Sequence, residues 1–213
     1  MRSWRFPTPK QAQGFPIAAA KALLRDPVLL TFGVMLFLES GVEITVGGWS
    51  ATFFKDELLV TDQRALVYLS LYWFGLMVGR MGLSAALRRV APARLLAACI
   101  TVAFFAAWIV ITAHDPSFGA LGVFLLGVGF SATFPVVLAF VADRHAALSG
   151  TAFSVVMVMA LTGGMLLPYL TGVLGTAYGL RSSFLIVPAA LVLLALLLGA
   201  ASSRLQGHAA PIA

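Results

Sequence analysis

Long apolar runs separated by short polar breaks fill the chain from about residue 28 onward. A membrane-spanning helix needs about 20 mainly apolar residues to cross a hydrocarbon core about 30 Å thick. Six runs are long enough, and they predict helices 1 to 6 at residues 28–54, 64–87, 95–113, 119–142, 150–176 and 184–200. The pattern therefore predicts an all-α membrane protein with six transmembrane helices.

The polar breaks between these runs are short, at residues 55–63, 114–117, 143–149 and 178–183. Short connections make consecutive helices antiparallel, so we expect one six-helix bundle over residues 28–200. We expect residues 1–27 to form a cytoplasmic N-terminal segment with a short helix on the membrane surface, and residues 201–213 to form a cytoplasmic tail.

The six predicted helices fall into two similar triplets. Helices 1, 2, 4 and 5 are rich in Gly and polar residues, whereas helix 3 has no Gly and helix 6 has only Gly199 near its end. Each triplet has an odd number of spans, so the second is expected to be inverted relative to the first, as in the 3+3 inverted repeats of transporters. Helices 3 and 6 would then be outer supports that face lipid.

Composition and charge indicate how the chain is oriented in the membrane, and they exclude several functions. The chain is 61% hydrophobic and 10% charged, whereas soluble domains carry about 25% charged residues. Of its 14 Lys and Arg residues, eleven lie on the side that holds the N-terminus, so the positive-inside rule places both termini in the cytoplasm. The net charge of +6 then reflects orientation in the membrane, not nucleic-acid binding.

Candidate chemistry is correspondingly sparse. The single cysteine, Cys99, leaves no disulfide framework and no cysteine-based metal site. The sequence has no metalloprotease, nucleophile-elbow or P-loop motif, and its three histidines all lie outside the predicted helices. We therefore expect no enzyme activity, no catalytic residue, no cofactor and no metal.

Two glutamates, Glu39 and Glu43, lie deep inside helix 1. A charged side chain at the bilayer centre costs about 2.5 to 3.5 kcal/mol even on the lenient insertion scale, so such residues normally face a cavity or a partner. The i, i+4 spacing puts both carboxyls on one helix face, where exchangeable protons are a natural consequence. We predict that Glu43, together with Glu39, binds polar substrate or carries a coupling proton. The alternative is that they stay protonated or pair with a basic group on another helix.

Glycines and aromatic side chains near these acids suggest a cavity. Gly47 and Gly48 are expected to interrupt helix 1 beside Glu43, and Trp49 is expected either in the interfacial belt or stacked on a ligand. In helix 2 a stripe of Tyr and Gly residues runs along one face, with Trp73 adjacent. The stripe consists of Tyr68, Tyr72, Gly75 and Gly79. Phenols suit sugars, although packing of helices around small residues explains the stripe equally well.

Proline residues predict bends in helices 4 and 5. Pro135 follows Ser131 and Thr133, which are candidate substrate contacts, and Pro168 lies within helix 5. Basic residues, among them Arg80, Arg88 and Arg89, mark the loop after helix 2, where they set topology and are candidates for a gating role.

Several of these segments resemble one known family. Residues 39–49, 72–75 with 79–80, 129–135 and 150–168 are similar to the seventh, eighth, tenth and eleventh helices of major facilitator transporters, and in particular of the fucose permease-type sugar:proton symporters. The resemblance covers about residues 15–200. It implies the C-terminal six-helix half of a twelve-helix protein, beginning in what resembles the central cytoplasmic loop, in a bacterial inner membrane. Glu43 matches a position where relatives carry Glu or Gln, whereas Glu39 falls where an aromatic residue is common.

The resemblance implies a secondary transporter, or half of one, that moves a small polar solute such as a sugar together with protons. Its expected partners are the solute, protons, membrane lipid, and either an N-terminal six-helix half or a second copy that completes the cavity. The alternative is a non-transporting membrane interaction or assembly protein derived from a truncated transporter.

Overall fold

The computed structural model describes residues 22–206. The predicted N-terminal segment up to residue 21, with most of its surface helix, and the tail from residue 207 lie outside the described residues. Six helical stretches within the described part are long and apolar enough to cross a membrane, as the hydropathy pattern predicts.

These spans are built from eight α-helices and one short 3₁₀ turn among the described residues. The helices are α1 (Pro27–Leu58), α2 (Asp62–Leu87), α3 (Pro92–Thr112), α4 (Pro116–Phe130), α5 (Thr133–Arg144), α6 (Ser149–Tyr178), α7 (Leu180–Ser183) and α8 (Ile186–Gln206), and the 3₁₀ turn is Ala146–Leu148. The fourth span consists of α4 and α5, and the sixth consists of α7 and most of α8.

Helix ends follow from capping residues in the sequence. An Asp precedes a Pro at the start of both α1 and α4, and the Asp carboxylate accepts backbone N–H bonds that the first turn leaves unpaired. Asp26 accepts from Val28 at 2.8 Å, and Asp115 accepts from Ser117 at 2.9 Å. Helix α1 ends four residues later than predicted, at Leu58, so the first loop is shorter than the polar pattern indicates.

Two spans form the centre of the bundle. Helix α1 packs most extensively against α6, and α4 packs against both α2 and α3, while α8 contacts α1 and α3. Small residues allow the closest approach: a Cβ at Gly163 of α6 would overlap the backbone carbonyl of Phe37 in α1. In the predicted inverted repeat, span 1 corresponds to span 4 and span 2 to span 5. The packing of α1 (span 1) against α6 (span 5) then corresponds to that of α4 (span 4) against α2 (span 2). The repeat itself stays a prediction.

The predicted helix break in the first span is wrong, and a different span is broken. Helix α1 continues through Gly47 and Gly48, because its backbone bonds stay satisfied and tertiary packing outweighs the weak helix preference of glycine. The fourth span breaks at residues 131 and 132, just before Pro135, which has no N–H to donate to the Ser131 carbonyl. Pro168 lies inside the unbroken helix α6.

Candidate functional site

The two glutamates predicted to carry the chemistry lie one turn apart in the middle of α1. Glu39 is buried, with only 1% of its surface exposed, and it packs inside the bundle. The Glu43 side chain is 18% exposed and reaches a groove on the bundle surface. Both carboxyls thus share one helix face, as their spacing predicts, but only one of them is accessible from outside.

The partner of Glu43 is a cation on the neighbouring helix. Arg80 Nη2 lies 3.7 Å from Glu43 Oε2, an ion pair longer than a direct hydrogen bond. The sequence analysis grouped Arg80 with the cations of the loop after helix 2, although the predicted bounds of that helix, 64–87, already include it. Helix α2 ends at Leu87, so Arg80 lies within the span. The structure therefore realises one alternative for Glu43, pairing with a basic group on another helix, and it moves Arg80 into the candidate site.

The buried carboxyl group of Glu39 has few hydrogen-bond donors around it. Glu39 Oε2 accepts a long hydrogen bond of 3.5 Å from Ser40 Oγ. Glu39 Oε1 and Glu43 Oε2 are buried and have no hydrogen-bond partner within residues 22–206. The two carboxyl groups are close enough to interact. Buried oxygens normally have a donor, and a proton held by one carboxyl would supply that donor to the other.

Two adjacent aromatic residues of α2 flank the pair, and they differ in exposure. Tyr72 is fully buried, and its hydroxyl donates to the backbone carbonyl of Glu43 at 3.1 Å. Trp73 is 47% exposed, and its ring lies 5.0 Å from the Tyr72 ring. Gly47 makes room for the indole, because a Cβ there would lie 2.9 Å from Trp73 Cζ2. Tyr72 thus ties α2 to α1, and Trp73 presents its ring at the surface.

Glu43, Trp73 and Arg80 line a groove of about 510 Å³, a size typical of small-molecule sites. All of its lining comes from α1 and α2: Glu43, Trp73, Leu76, Met77, Arg80 and Met81. Together they offer a carboxylate, a guanidinium and an indole face, bordered by flexible apolar side chains. This combination suits a polyhydroxylated solute, which needs hydrogen-bond acceptors and donors together with a flat apolar surface.

Leu76, Met77 and Met81 were not anticipated from the sequence. With Trp73 and Arg80 they occupy positions i, i+3, i+4, i+7 and i+8, which define one face of a helix. This spacing, counted from Trp73, is visible in the sequence and indicates one helix face. The prediction used a different face of the same helix, the one that carries the Tyr and Gly residues.

The remaining predicted residues do not line this groove. Ser131 is buried at the break between α4 and α5, where its hydroxyl donates to the Val128 carbonyl at 2.6 Å and packs against Gly79. Thr133 is buried in the first turn of α5. Arg88 and Arg89 are exposed just beyond the end of α2. Their predicted roles in substrate contact or gating stay predictions.

Trp49 contacts another helix, and its two predicted roles stay predictions. Its indole N–H donates to the Pro168 carbonyl at 3.0 Å, and its ring packs against Gly172 of α6. The side chain therefore joins α1 to α6. A single sequence does not reveal this contact, because it joins residues 119 positions apart.

A second polar cluster, which sequence analysis missed, lies where α1 and α3 end. Arg181 pairs with Glu57 at 3.2 Å, and it donates to the carbonyls of Ile111 and Ala113 at 2.6 and 2.8 Å. These carbonyls belong to the last turn of α3 and its cap, where a cation is favourable. Arg181, which lies between the fifth and sixth spans, thus ties this part of the chain to the C-terminal ends of α1 and α3.

Comparison with known proteins gives relatives over most of the chain. The glucose/galactose transporter of Brucella abortus is 29% identical over 166 residues, which are 76% of this chain and 39% of the relative. A putative glucose/galactose transporter of Helicobacter pylori is 32% identical over 148 residues, or 67% and 35% of the two chains. The chain thus spans less than two fifths of the length of these curated relatives. No protein-family profile matches it.

Solved structures share the fold at low sequence identity. FucP, a major facilitator superfamily transporter in an outward conformation, matches with a TM-score of 0.78 at 18% identity, over 92% of this chain and 47% of that one. The Escherichia coli fucose:proton symporter FucP matches with a TM-score of 0.79 at 19% identity, over 93% and 50%. The bundle therefore has the fold of one six-helix half of a major facilitator transporter, as the sequence resemblance implies.

Proposed function

We propose that this chain, a relative of major facilitator sugar transporters with the fold of one half of such a protein, forms one wall of a sugar transport pathway. The observation that carries the proposal is the Glu43–Arg80 pair beside the exposed ring of Trp73, in a groove within two membrane spans. The names of the curated relatives, which are glucose/galactose transporters, favour a hexose as the solute.

In this proposal the sugar lies against Trp73 and exchanges hydrogen bonds with the ion pair. Because the Glu43–Arg80 distance of 3.7 Å leaves the pair without a direct hydrogen bond, the carboxylate can still accept from sugar hydroxyls and the guanidinium can still donate to them. The apolar face of a sugar ring would cover the indole, and Met77 and Met81 would adapt to its edge. Tyr72 would hold α2 in register with Glu43 through its hydrogen bond.

Proton coupling is proposed for the two carboxyls. Glu39 is buried behind Glu43, and each contributes one oxygen that has no hydrogen-bond partner in the described part of the chain, although the Glu43 oxygen faces Arg80. One proton shared by the two groups would satisfy both oxygens and leave a single negative charge facing Arg80. Sugar binding that displaces Arg80 from Glu43 would favour uptake of a second proton, which links the solute to proton movement.

The groove also implies an opposite wall. Its lining residues belong to α1 and α2, and the spans containing α2 and α6 are the least buried of the six. We propose that a second six-helix unit, either an N-terminal half or a second copy, faces these helices across the pathway. In a Cys99→Ala background, Met77→Cys labelled with a maleimide photo-cross-linker would then cross-link to that unit, whereas Val102→Cys on the outer face of α3, labelled in the same way, would not.

Sugar-driven proton uptake tests the function. Proteoliposomes with the purified chain, and membranes from cells that also express a candidate companion half, are given glucose or galactose while the internal pH is recorded with a dye. We expect acidification of the interior that Glu43→Gln abolishes. Asp56→Asn, at the exposed end of the same helix, is the matched control and should behave as the wild type. Unchanged proton uptake in Glu43→Gln would refute the proposed coupling.

A further inference from the structure

A second groove, which shares no lining residue with the candidate site, lies between α3 and α8. It consists of two adjoining pockets of about 370 and 400 Å³, which share Ile100, Thr101 and Ala195 in their linings. The first pocket begins at Arg94, and the second continues to Phe104 and Phe105. The two pockets thus form one cleft along α3 and α8, and neither Glu43 nor Arg80 lines it.

Most of this cleft is apolar. Its far end is lined by aromatic and aliphatic side chains, among which Phe105 is 62% exposed and Leu196 is 66% exposed. The hydroxyl of Thr101 donates to the Ala97 carbonyl of its own helix at 2.9 Å, so it presents mainly its methyl group to the cleft. The walls therefore suit a hydrocarbon chain better than a polar ligand.

The length of the cleft matches one leaflet of a bilayer. From Arg94 to Phe105 the helix advances by eleven residues, or about 16 Å at about 1.5 Å per residue. Half of a hydrocarbon core about 30 Å thick is about 15 Å. An acyl chain that starts at the level of Arg94 would thus end near the middle of the membrane, where the cleft ends.

The entrance of the cleft is positively charged. Arg94 is exposed in the first turn of α3, where it forms no ion pair or side-chain hydrogen bond with another residue of the described range. Basic pockets between transmembrane helices are suited to anionic lipid headgroups. The cation therefore lies at the end of the cleft where a headgroup would lie.

We propose that this cleft binds an anionic phospholipid, with its phosphate at Arg94 and one acyl chain between α3 and α8. The bound lipid would fill the space between two helices that pack against each other less extensively than α3 packs against α4. It would stabilise the outer side of the bundle. The site is independent of the proposed sugar groove, because the two share no lining residue.

Native mass spectrometry of the purified chain tests this proposal. The protein is titrated with phosphatidylglycerol or with phosphatidylcholine at equal concentrations, and the retained lipid is counted. We expect at least one retained phosphatidylglycerol and about a fivefold preference for it, since one basic residue near an anionic headgroup contributes about 1 kcal/mol. Arg94→Gln should abolish the preference. Ala195→Phe, which fills the part shared by both pockets, should reduce retention of both lipids.

Two control variants carry the same changes outside the cleft. Arg89→Gln removes a nearby charge, and Ala98→Phe adds a ring at an exposed position of α3 that does not line the cleft. Both should retain lipid as the wild type does. A preference that survives in Arg94→Gln, or that falls equally in Arg89→Gln, overturns the proposal. Unchanged retention of lipid in Ala195→Phe also overturns the proposal. If Ala195→Phe does not purify, the comparison of Arg94→Gln with Arg89→Gln is decisive.

Discussion

Removal of Arg80 should destabilise the protein through Glu43, and a double-mutant cycle can measure this coupling. At the observed separation of 3.7 Å, Coulomb's law gives about 4 kcal/mol at an effective dielectric constant of about 20 and about 1 kcal/mol in water. Because the Arg80 side chain is 49% exposed, screening reduces the larger figure. We therefore expect a coupling of about 1 to 2 kcal/mol between the two side chains.

The assay is thermal unfolding of the detergent-solubilised wild type, Arg80→Gln, Glu43→Gln and the double variant. For a chain of this length, 1 kcal/mol corresponds to a shift of about 2 to 4 °C in Tm. Arg80→Gln should thus lower Tm by about 2 to 8 °C more in the wild-type background than in the Glu43→Gln background, where the lone carboxylate is already absent.

The control is the same cycle with Arg89 in place of Arg80. Arg89 is exposed beyond the end of α2, so its effect and that of Glu43→Gln should add. Additive effects for Arg80 and Glu43, to within about 0.5 kcal/mol, would refute the ion pair as a feature of the site.

Two other predictions concern the packing of the bundle. Gly163→Ala should lower Tm by several degrees, because the new Cβ overlaps the Phe37 carbonyl and overpacking costs about 1 to 3 kcal/mol. Gly48→Ala has open space in α1 and should leave Tm unchanged or raise it. Arg181→Gln should also lower Tm, by more than Glu57→Gln does, because it leaves Glu57 Oε2 and two carbonyls without their donor, while the backbone N–H of residue 181 still donates to Glu57 Oε1. Equal effects of the two glycine variants, or of the two polar ones, would contradict these contacts.

The sequence predicts the helices well because a span must satisfy two local conditions, length and apolar composition. It also predicts a bend near Pro135, and the fourth span is interrupted there, at residues 131 and 132, whereas the helix α6 that contains Pro168 is unbroken. The expected break at Gly47 and Gly48 fails because glycine only weakens a helix, and packing of α1 against α6 and α2 outweighs a local preference.

The acidic residues of the candidate site can be predicted from the sequence, because they are unusual where they stand in the chain. Glu39 and Glu43 are visible in the sequence because charge inside an apolar run is costly. Arg80 lies near the end of a run, where a cation is ordinary, so only the contact with Glu43 reveals it. Likewise, Arg181 looks like a loop residue until the fold brings Glu57 and the end of α3 beside it.

Sugar binding at Trp73 is the most direct test of the account. The purified chain in lipid nanodiscs is titrated with glucose or galactose while tryptophan fluorescence is recorded. We predict a saturable change that persists in Trp108→Phe, an exposed position on α3, and disappears in Trp73→Phe. Glu43→Gln should weaken the apparent affinity about tenfold, the effect of losing about 1.4 kcal/mol. A saturable change that is the same in wild type, Trp73→Phe and Glu43→Gln would contradict the assignment of the groove as a sugar site.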